Sequence, residues 1–420
     1  MIEHSLLIFT LVVIFGFYMA WNIGANDVAN AMGTSVGSRA MTLKQAVMVA
    51  AFFEFLGAFL VGSSVTQTVK SGIVDINLFS GTPEVVVVGM LSALLAAAMW
   101  LQVATIFGWP VSTTHSIIGA VVGFGLVAGG MGVIQWERLT QVGMSWIVSP
   151  LSGALISMLI FSFIHRKILA TETPVINAKR YTPYLVFILV FTLSLSMIYK
   201  GLANLKLPIS IEFSILMAIA IGTIGVIISK TLMNKIPDTA YNRKGFGAKF
   251  TIVDRIYRSM MILTACYVAF AHGANDVANA IGPVAAVVTT LQTGQIQAHV
   301  PVPLWVLAMG GVGIVVGIAT MGYRVIDTIG KRITEITPTS GFSATFGAAT
   351  TVLVCSTMGL PISTTHTLVG SVIGVGLVKG VGSINLRMLW GIVISWIVTV
   401  PISAIICALL FKVLFFMLYM

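Results

Sequence analysis

Two acidic residues stand in stretches that are otherwise apolar. Asp27 lies in the run GANDVANA at residues 24–31, and Asp276 lies in the same eight residues repeated at 273–280. A carboxylate at the centre of a membrane-spanning helix costs on the order of 3 kcal/mol on insertion scales. Keeping two at matching places calls for a neutralising partner: Na+, a proton, or a hydrogen-bond donor on a substrate. Asn26 and Asn30 flank the first acid, and Asn275 and Asn279 the second. Their amides offer a carbonyl oxygen to a cation and N–H groups to an anion. Gly24 and Gly33, like Gly273 and Gly282, predict local unwinding that would free backbone carbonyls for a hard cation. Na+ is thus a candidate at Asp27 and Asp276. Helix-to-helix adhesion is the rival reading, but adhesion tolerates substitution and the eight residues are identical in both copies.

A second pair of blocks follows. Pro110-Val111-Ser112-Thr113-Thr114-His115 is matched by Pro361-Ile362-Ser363-Thr364-Thr365-His366. Proline ahead of Ser-Thr-Thr predicts a helix start with Ser112 or Ser363 as N-cap. The N-terminal N–H groups and the positive end of the helix dipole favour an anion. Three hydroxyls in each block add donors without charge. With no Arg or Lys in either block, an oxyanion would be held by neutral donors and co-bound cations. His115 and His366 are read as satisfied interior histidines, with proton carriage as the alternative. Glu54 is a third acid in an apolar run, a candidate for cation coupling. The stretch taken as its counterpart, Leu304 to Ala308, has no acid.

These blocks must be positioned by membrane helices. The 420-residue chain is 57% hydrophobic and only 9% charged, with a mean hydropathy of +1.02, against about 25% charged for soluble domains. The strand-like alternation of a membrane β-barrel is absent. The expected fold is an all-α polytopic membrane protein of two inverted-topology repeats, with about 12 apolar helical segments including two helical hairpins. The runs 260–272 and 280–290 make one span, expected to be broken at the second GANDVANA block. The short runs 115–128 and 366–378 follow Gly-x-Pro turns and pair with the preceding segment as hairpins. The organisation expected is membrane repeat 1 over 1–165, an inserted helix pair with basic cytoplasmic loops over 166–258, and membrane repeat 2 over 259–420.

Basic residues orient the repeats. Arg39, Lys44, Arg166, Lys167, Lys179, Arg180, the cluster from Lys230 to Arg258, Arg324, Lys331, Arg332, Lys379 and Arg387 fall in loops assigned to the cytoplasm. The opposite loops hold only Lys70, Arg138, Lys200 and Lys206. This positive-inside bias accounts for the net charge of +10 without nucleic acid. It places both termini outside and runs the two GANDVANA spans in opposite directions, so the repeats are inverted. The N-terminus lacks a basic n-region and a cleavage site and reads as a retained first span. Cys266, Cys355 and Cys407 show no metal or disulfide spacing.

The doubled GANDVANA and the doubled P-x-S-T-T-H resemble the signatures of the inorganic phosphate transporter (PiT) family, and the resemblance covers essentially the whole chain. It implies a secondary phosphate transporter of the bacterial or archaeal type, without a long cytoplasmic insert, in a cell (plasma or inner) membrane, and as a homodimer. It also implies that Asp27, Asn30, Asp276 and Asn279 are cation and phosphate ligands, and that Ser112, Thr113, Thr114, Ser363, Thr364 and Thr365 bind phosphate. The function expected is cation-coupled symport of inorganic phosphate, with Na+ or H+ as the coupling ion, by alternating access. The alternatives are a sulfate or other oxyanion permease of the same family, an anion channel, and an intramembrane hydrolase using Asp27 and Asp276 as a dyad. The sequence contains no P-loop, HExxH or Gly-x-Ser-x-Gly motif, so no enzyme activity is expected and no cofactor beyond the coupling ion.

Overall fold

A computed structural model describes residues 4–63, 72–201, 209–236, 246–297, 302–326, 336–380, 382 and 386–419. Lys70, Lys206, Arg243, Lys244, Lys331 and Arg332, used above for orientation, lie outside these residues. The described chain is helical, its one β-feature being an isolated bridge between Val74 and Ile134.

The helices are α1 (Ser5–Gly37), α2 (Leu43–Val61), α3 (Pro83–Ile106), α4 (Thr113–Gly129), α5 (Trp136–Ile164), α6 (Pro174–Ser196), α7 (Ile211–Asn234), α8 (Phe246–Thr293), α9 (Leu304–Met321), α10 (Pro338–Thr357), α11 (Thr364–Lys379) and α12 (Leu386–Tyr419). Among the described residues, eight are long and apolar enough to cross a membrane: α1, α2, α3, α5, α6, α7, α9 and α12. Of the others, α4 and α11 are short, α8 carries the second GANDVANA block, and α10 is rich in Ser, Thr and Gly. Helix α4 has 17 residues and α11 has 16; at 1.5 Å per residue neither crosses a core of about 30 Å alone.

Local signals set the ends. Thr42 and Gln45 form a capping box at the start of α2, and Thr337 with Ser340 forms one at α10 behind Pro338. Gly108 (φ 67°) and Gly359 (φ 74°) turn the chain in the left-handed region after α3 and α10. Each turn sends the chain into a short helix packed on the one before it, so α3–α4 and α10–α11 form the two hairpins.

The packing is reciprocal between the two halves. Helix α1 packs on α9, and α8, which carries the second GANDVANA block, packs on α2. Helix α4 packs on α12, and α11 on α5. Each half therefore completes the other. Helices α6 and α7 pack mainly on one another. Large apolar side chains such as Leu151, Leu155 and Leu159 on α5 and Ile397, Ile405 and Leu409 on α12 are exposed, as lipid-facing surfaces are.

The predicted break at the GANDVANA blocks does not occur. Helices α1 and α8 run unbroken through Asp27 and Asp276. Their glycines serve packing instead. A methyl group on Gly24 would overlap the carbonyl oxygen of Ile314, and one on Gly273 would overlap that of Glu54. In lipid, where no hydrophobic force drives helices together, such close backbone approach is a main source of association. These contacts also correct a register: Gly24 faces Ile314 as Gly273 faces Glu54. The counterpart of Glu54 is therefore Ile314, not the 304–308 stretch.

Candidate functional site

The four polar blocks converge at the centre of the helical body. Asn26, Asp27, Asn30, Asn275, Asp276 and Asn279 are buried, as are Ser112, Thr113, Thr114, Ser363, Thr364 and Thr365. Ser112 Oγ accepts from the His115 backbone N–H at 3.2 Å, and Ser363 Oγ from that of His366 at 3.2 Å. Both serines are N-caps, as their sequence predicts. The first backbone N–H groups of α4 and α11 have no partner within their own helix, since a helix begins with orphan donors.

The blocks pair crosswise. Asn30 Nδ2 donates to Thr365 Oγ1 at 2.8 Å, and Asn279 Nδ2 to Thr114 Oγ1 at 3.2 Å. Thr114 Oγ1 in turn donates to the Ile362 carbonyl at 2.9 Å, and Thr365 Oγ1 to the Val111 carbonyl at 3.3 Å. The first GANDVANA block thus meets the second Ser-Thr-Thr block, and the reverse. Asn26 and Asn275, expected to serve the cation, bond to the turns between the paired helices. Asn26 Nδ2 donates to Thr105 Oγ1 and the Trp109 carbonyl, and its Oδ1 accepts from the Val111 N–H. Asn275 Nδ2 donates to Asp276 and to the Ile362 carbonyl, while its Oδ1 accepts from Ser356. Each amide pins the turn ahead of its own half's short helix.

The acids differ in their surroundings. Asp276 Oδ1 accepts from Asn275 at 2.8 Å, and Oδ2 from Thr364 Oγ1 at 2.9 Å. Asp27 Oδ1 accepts from Asn30 at 3.4 Å, but its Oδ2 has no hydrogen-bond partner. Asn30 Oδ1 is likewise buried and unbonded. Beside them sits a residue that the sequence reading did not single out. His272 Nε2 lies 2.7 Å from Asp276 Oδ2 and 3.8 Å from Asp27 Oδ2, and its Nδ1 lies 2.9 Å from Glu54 Oε2. One buried imidazole thus lies within ion-pair reach of Glu54 on one side and Asp276 on the other. Asp27, His272 and Asp276 present ligand atoms within 4.8 Å of one another, a group able to hold a small cation. One signal for His272 was available: it directly precedes the second GANDVANA, where the first copy has Ile23.

His115 and His366 lie behind the Ser-Thr-Thr blocks. Their rings meet at 4.4 Å; His115 lies tilted against Trp146 at 3.7 Å, and His366 stacks on Trp396 at 3.5 Å. Both are packed among aromatics, though His115 has neither ring nitrogen bonded. The three cysteines are free.

A polytopic helical body that gathers carboxylates, amides, hydroxyls and helix N-termini at its buried centre is that of a membrane transporter. The family model for the phosphate transporter family matches residues 23–407. Inorganic phosphate transporter 2-1, chloroplastic, of Arabidopsis thaliana is 48% identical over 417 residues, covering 93% of this chain and 70% of that protein. A solved structure of the sodium-dependent phosphate transporter superposes with a TM-score of 0.91 at 41% identity, covering 98% of this chain and 100% of that one. The chain belongs to the phosphate transporter family and is a transporter, not an enzyme.

Proposed function

We propose that the chain is a secondary active symporter that moves inorganic phosphate with a cation by alternating access. The observation that carries this reading is the crosswise pairing of Asn30 with Thr365 and Asn279 with Thr114 at a buried centre. Two helix N-termini and their hydroxyls there supply donors for an oxyanion. The acids beside them would repel that anion unless a cation is bound with it. Anion and cation therefore stabilise one another's binding, which is the requirement for symport. Ser112, Thr113, Thr114, Ser363, Thr364, Thr365, Asn30 and Asn279 are the proposed phosphate site, and Asp27, Asp276 and Glu54 the proposed cation site. Asn26 and Asn275 act on both through the turns they pin. Na+ is the favoured coupling ion: the unbonded oxygens of Asp27 and Asn30 suit a hard cation, and the similar solved structure is named for sodium dependence.

The reciprocal packing supports two inverted repeats, over 1–165 and 259–420 around an inserted pair at 166–258. About twelve segments would then form one membrane body in a plasma or inner membrane with both termini outside, paired as a homodimer. Proteoliposome uptake of labelled phosphate, with Na+ and proton gradients imposed separately, tests the reading. Saturable uptake driven by one gradient supports it. High unitary anion current would favour a channel, and equal displacement by sulfate a broader oxyanion permease.

A further inference from the structure

Behind the two Ser-Thr-Thr blocks, four rings meet where the halves of the molecule join. His115 and His366 directly follow Thr114 and Thr365, each in the first turn of its short helix. Their ring centres lie 4.4 Å apart, edge to face, so one position of the repeat meets its own copy. Each imidazole also lies against a tryptophan of a long helix, His115 against Trp146 on α5 and His366 against Trp396 on α12. This ring packing runs opposite to the backbone packing. A methyl group on Gly119 of α4 would overlap the Val400 carbonyl of α12, and one on Gly370 of α11 the Pro150 carbonyl of α5. Each short helix is thus fixed to one long helix by its backbone and to the other by its imidazole. His366 adds a hydrogen bond, its Nδ1 donating to the Trp146 carbonyl at 3.5 Å. That carbonyl lacks its helical partner, because Pro150, four residues on, has no N–H.

We propose that His115 and His366, packed between Trp146 and Trp396, are positioning residues: a four-ring brace that sets the separation of the two hydroxyl-bearing helix starts, and so the fit of phosphate between them. The rival role for these histidines is proton carriage, which needs polar partners to deliver and receive the proton. His115 has no hydrogen-bond partner on either nitrogen. Beyond the rings lies a cavity of about 720 Å³ whose other walls include Ile147, Leu151, Val393 and Ile397, side chains that neither give nor accept a proton. Aromatic rings at these separations attract one another through their faces and edges alone. The ring, rather than its proton, is the working part.

The proposal rests on phosphate binding at the Ser-Thr-Thr blocks, and the test separates the two. Labelled phosphate uptake is compared for His115→Phe, which keeps a ring, and His115→Leu, which fills the space without one. Neither side chain carries a proton. His115→Leu is expected to raise the phosphate KM by roughly two- to tenfold, the worth of one aromatic pair. The half-saturating cation concentration, measured at saturating phosphate, should not move. His115→Phe is expected to restore the wild-type KM with the wild-type pH profile. Equal impairment of both variants, or an altered pH profile in His115→Phe, overturns the proposal in favour of proton handling. Equal tolerance of both overturns it in favour of simple space filling. His115→Leu, His366→Leu and the double variant complete a cycle. Rings acting as one brace give a double-variant change in KM well below the product of the two single changes; changes that simply multiply overturn the brace. If Thr113→Ala and Thr364→Ala both leave the phosphate KM unchanged, the phosphate reading falls instead. The same cycle, read as Tm in detergent without phosphate, then decides the brace by itself: Tm losses that merely add overturn it.

Discussion

Asn30 on α1 and Thr365 at the first turn of α11 are joined by a 2.8 Å hydrogen bond across 335 positions of sequence. It ties the first acid-bearing helix to the second hydroxyl-bearing helix start, and Asn279 with Thr114 repeats the tie the other way.

Removing either amide should loosen the hydroxyl it holds. Asn30→Ala or Asn279→Ala leaves a buried threonine with one partner fewer, a loss of about 1–2 kcal/mol, or roughly tenfold in phosphate KM. Initial rates of labelled phosphate uptake across substrate concentration measure this. An unchanged KM in both variants would remove these amides from the phosphate site.

The close helix contacts predict a steric effect. Gly24→Ala and Gly273→Ala place a methyl against a facing carbonyl, and overpacking of this kind costs about 1–3 kcal/mol. Gly81, with open space around it, should accept alanine with little change. Thermal unfolding in detergent compares the three; a Gly24→Ala protein as stable as Gly81→Ala would show that the α1–α9 contact yields easily.

Cation and phosphate binding should be linked reciprocally. If the coupling cation tightens phosphate binding by some factor, phosphate must tighten cation binding by the same factor, and typical couplings of about 1–3 kcal/mol give 5- to 150-fold. Calorimetric titration of each ligand with and without the other measures both factors. Independent binding would separate the acids from the anion site.

Selectivity should follow the substrate's proton. Near neutral pH phosphate retains a hydrogen that an ionised carboxylate such as Asp27 can accept in a hydrogen bond, whereas sulfate has none. Sulfate at equal concentration should leave labelled phosphate uptake largely intact. Strong competition would show that neither acid reads that proton.

Much of the site was legible because its signals are local. Pro110-Val111-Ser112 declares a capped helix start within a few residues, and the octad around Asp27 marks itself by recurring around Asp276. Mean hydropathy declares the membrane. The unwinding expected from Gly24 and Gly273 was misjudged because a glycine's local freedom and its use in close packing look alike in sequence. The register of Glu54 slipped because α8 runs further past its GANDVANA block than α1 does and the link that follows it is also longer; a fixed offset between the halves cannot follow unequal segments.

The amino-acid sequence alone determined the helical membrane class, the duplication, and the identities of the acids, amides and hydroxyls, since hydropathy, capping and repetition act over short stretches of chain. Only the tertiary structure decided which half-site faces which, and that His272 lies between Asp276 and Glu54. Apart from His272 with Asp276, one turn apart on α8, those pairings join residues on different helices, and they arise when glycine-lined helices from opposite halves settle against one another.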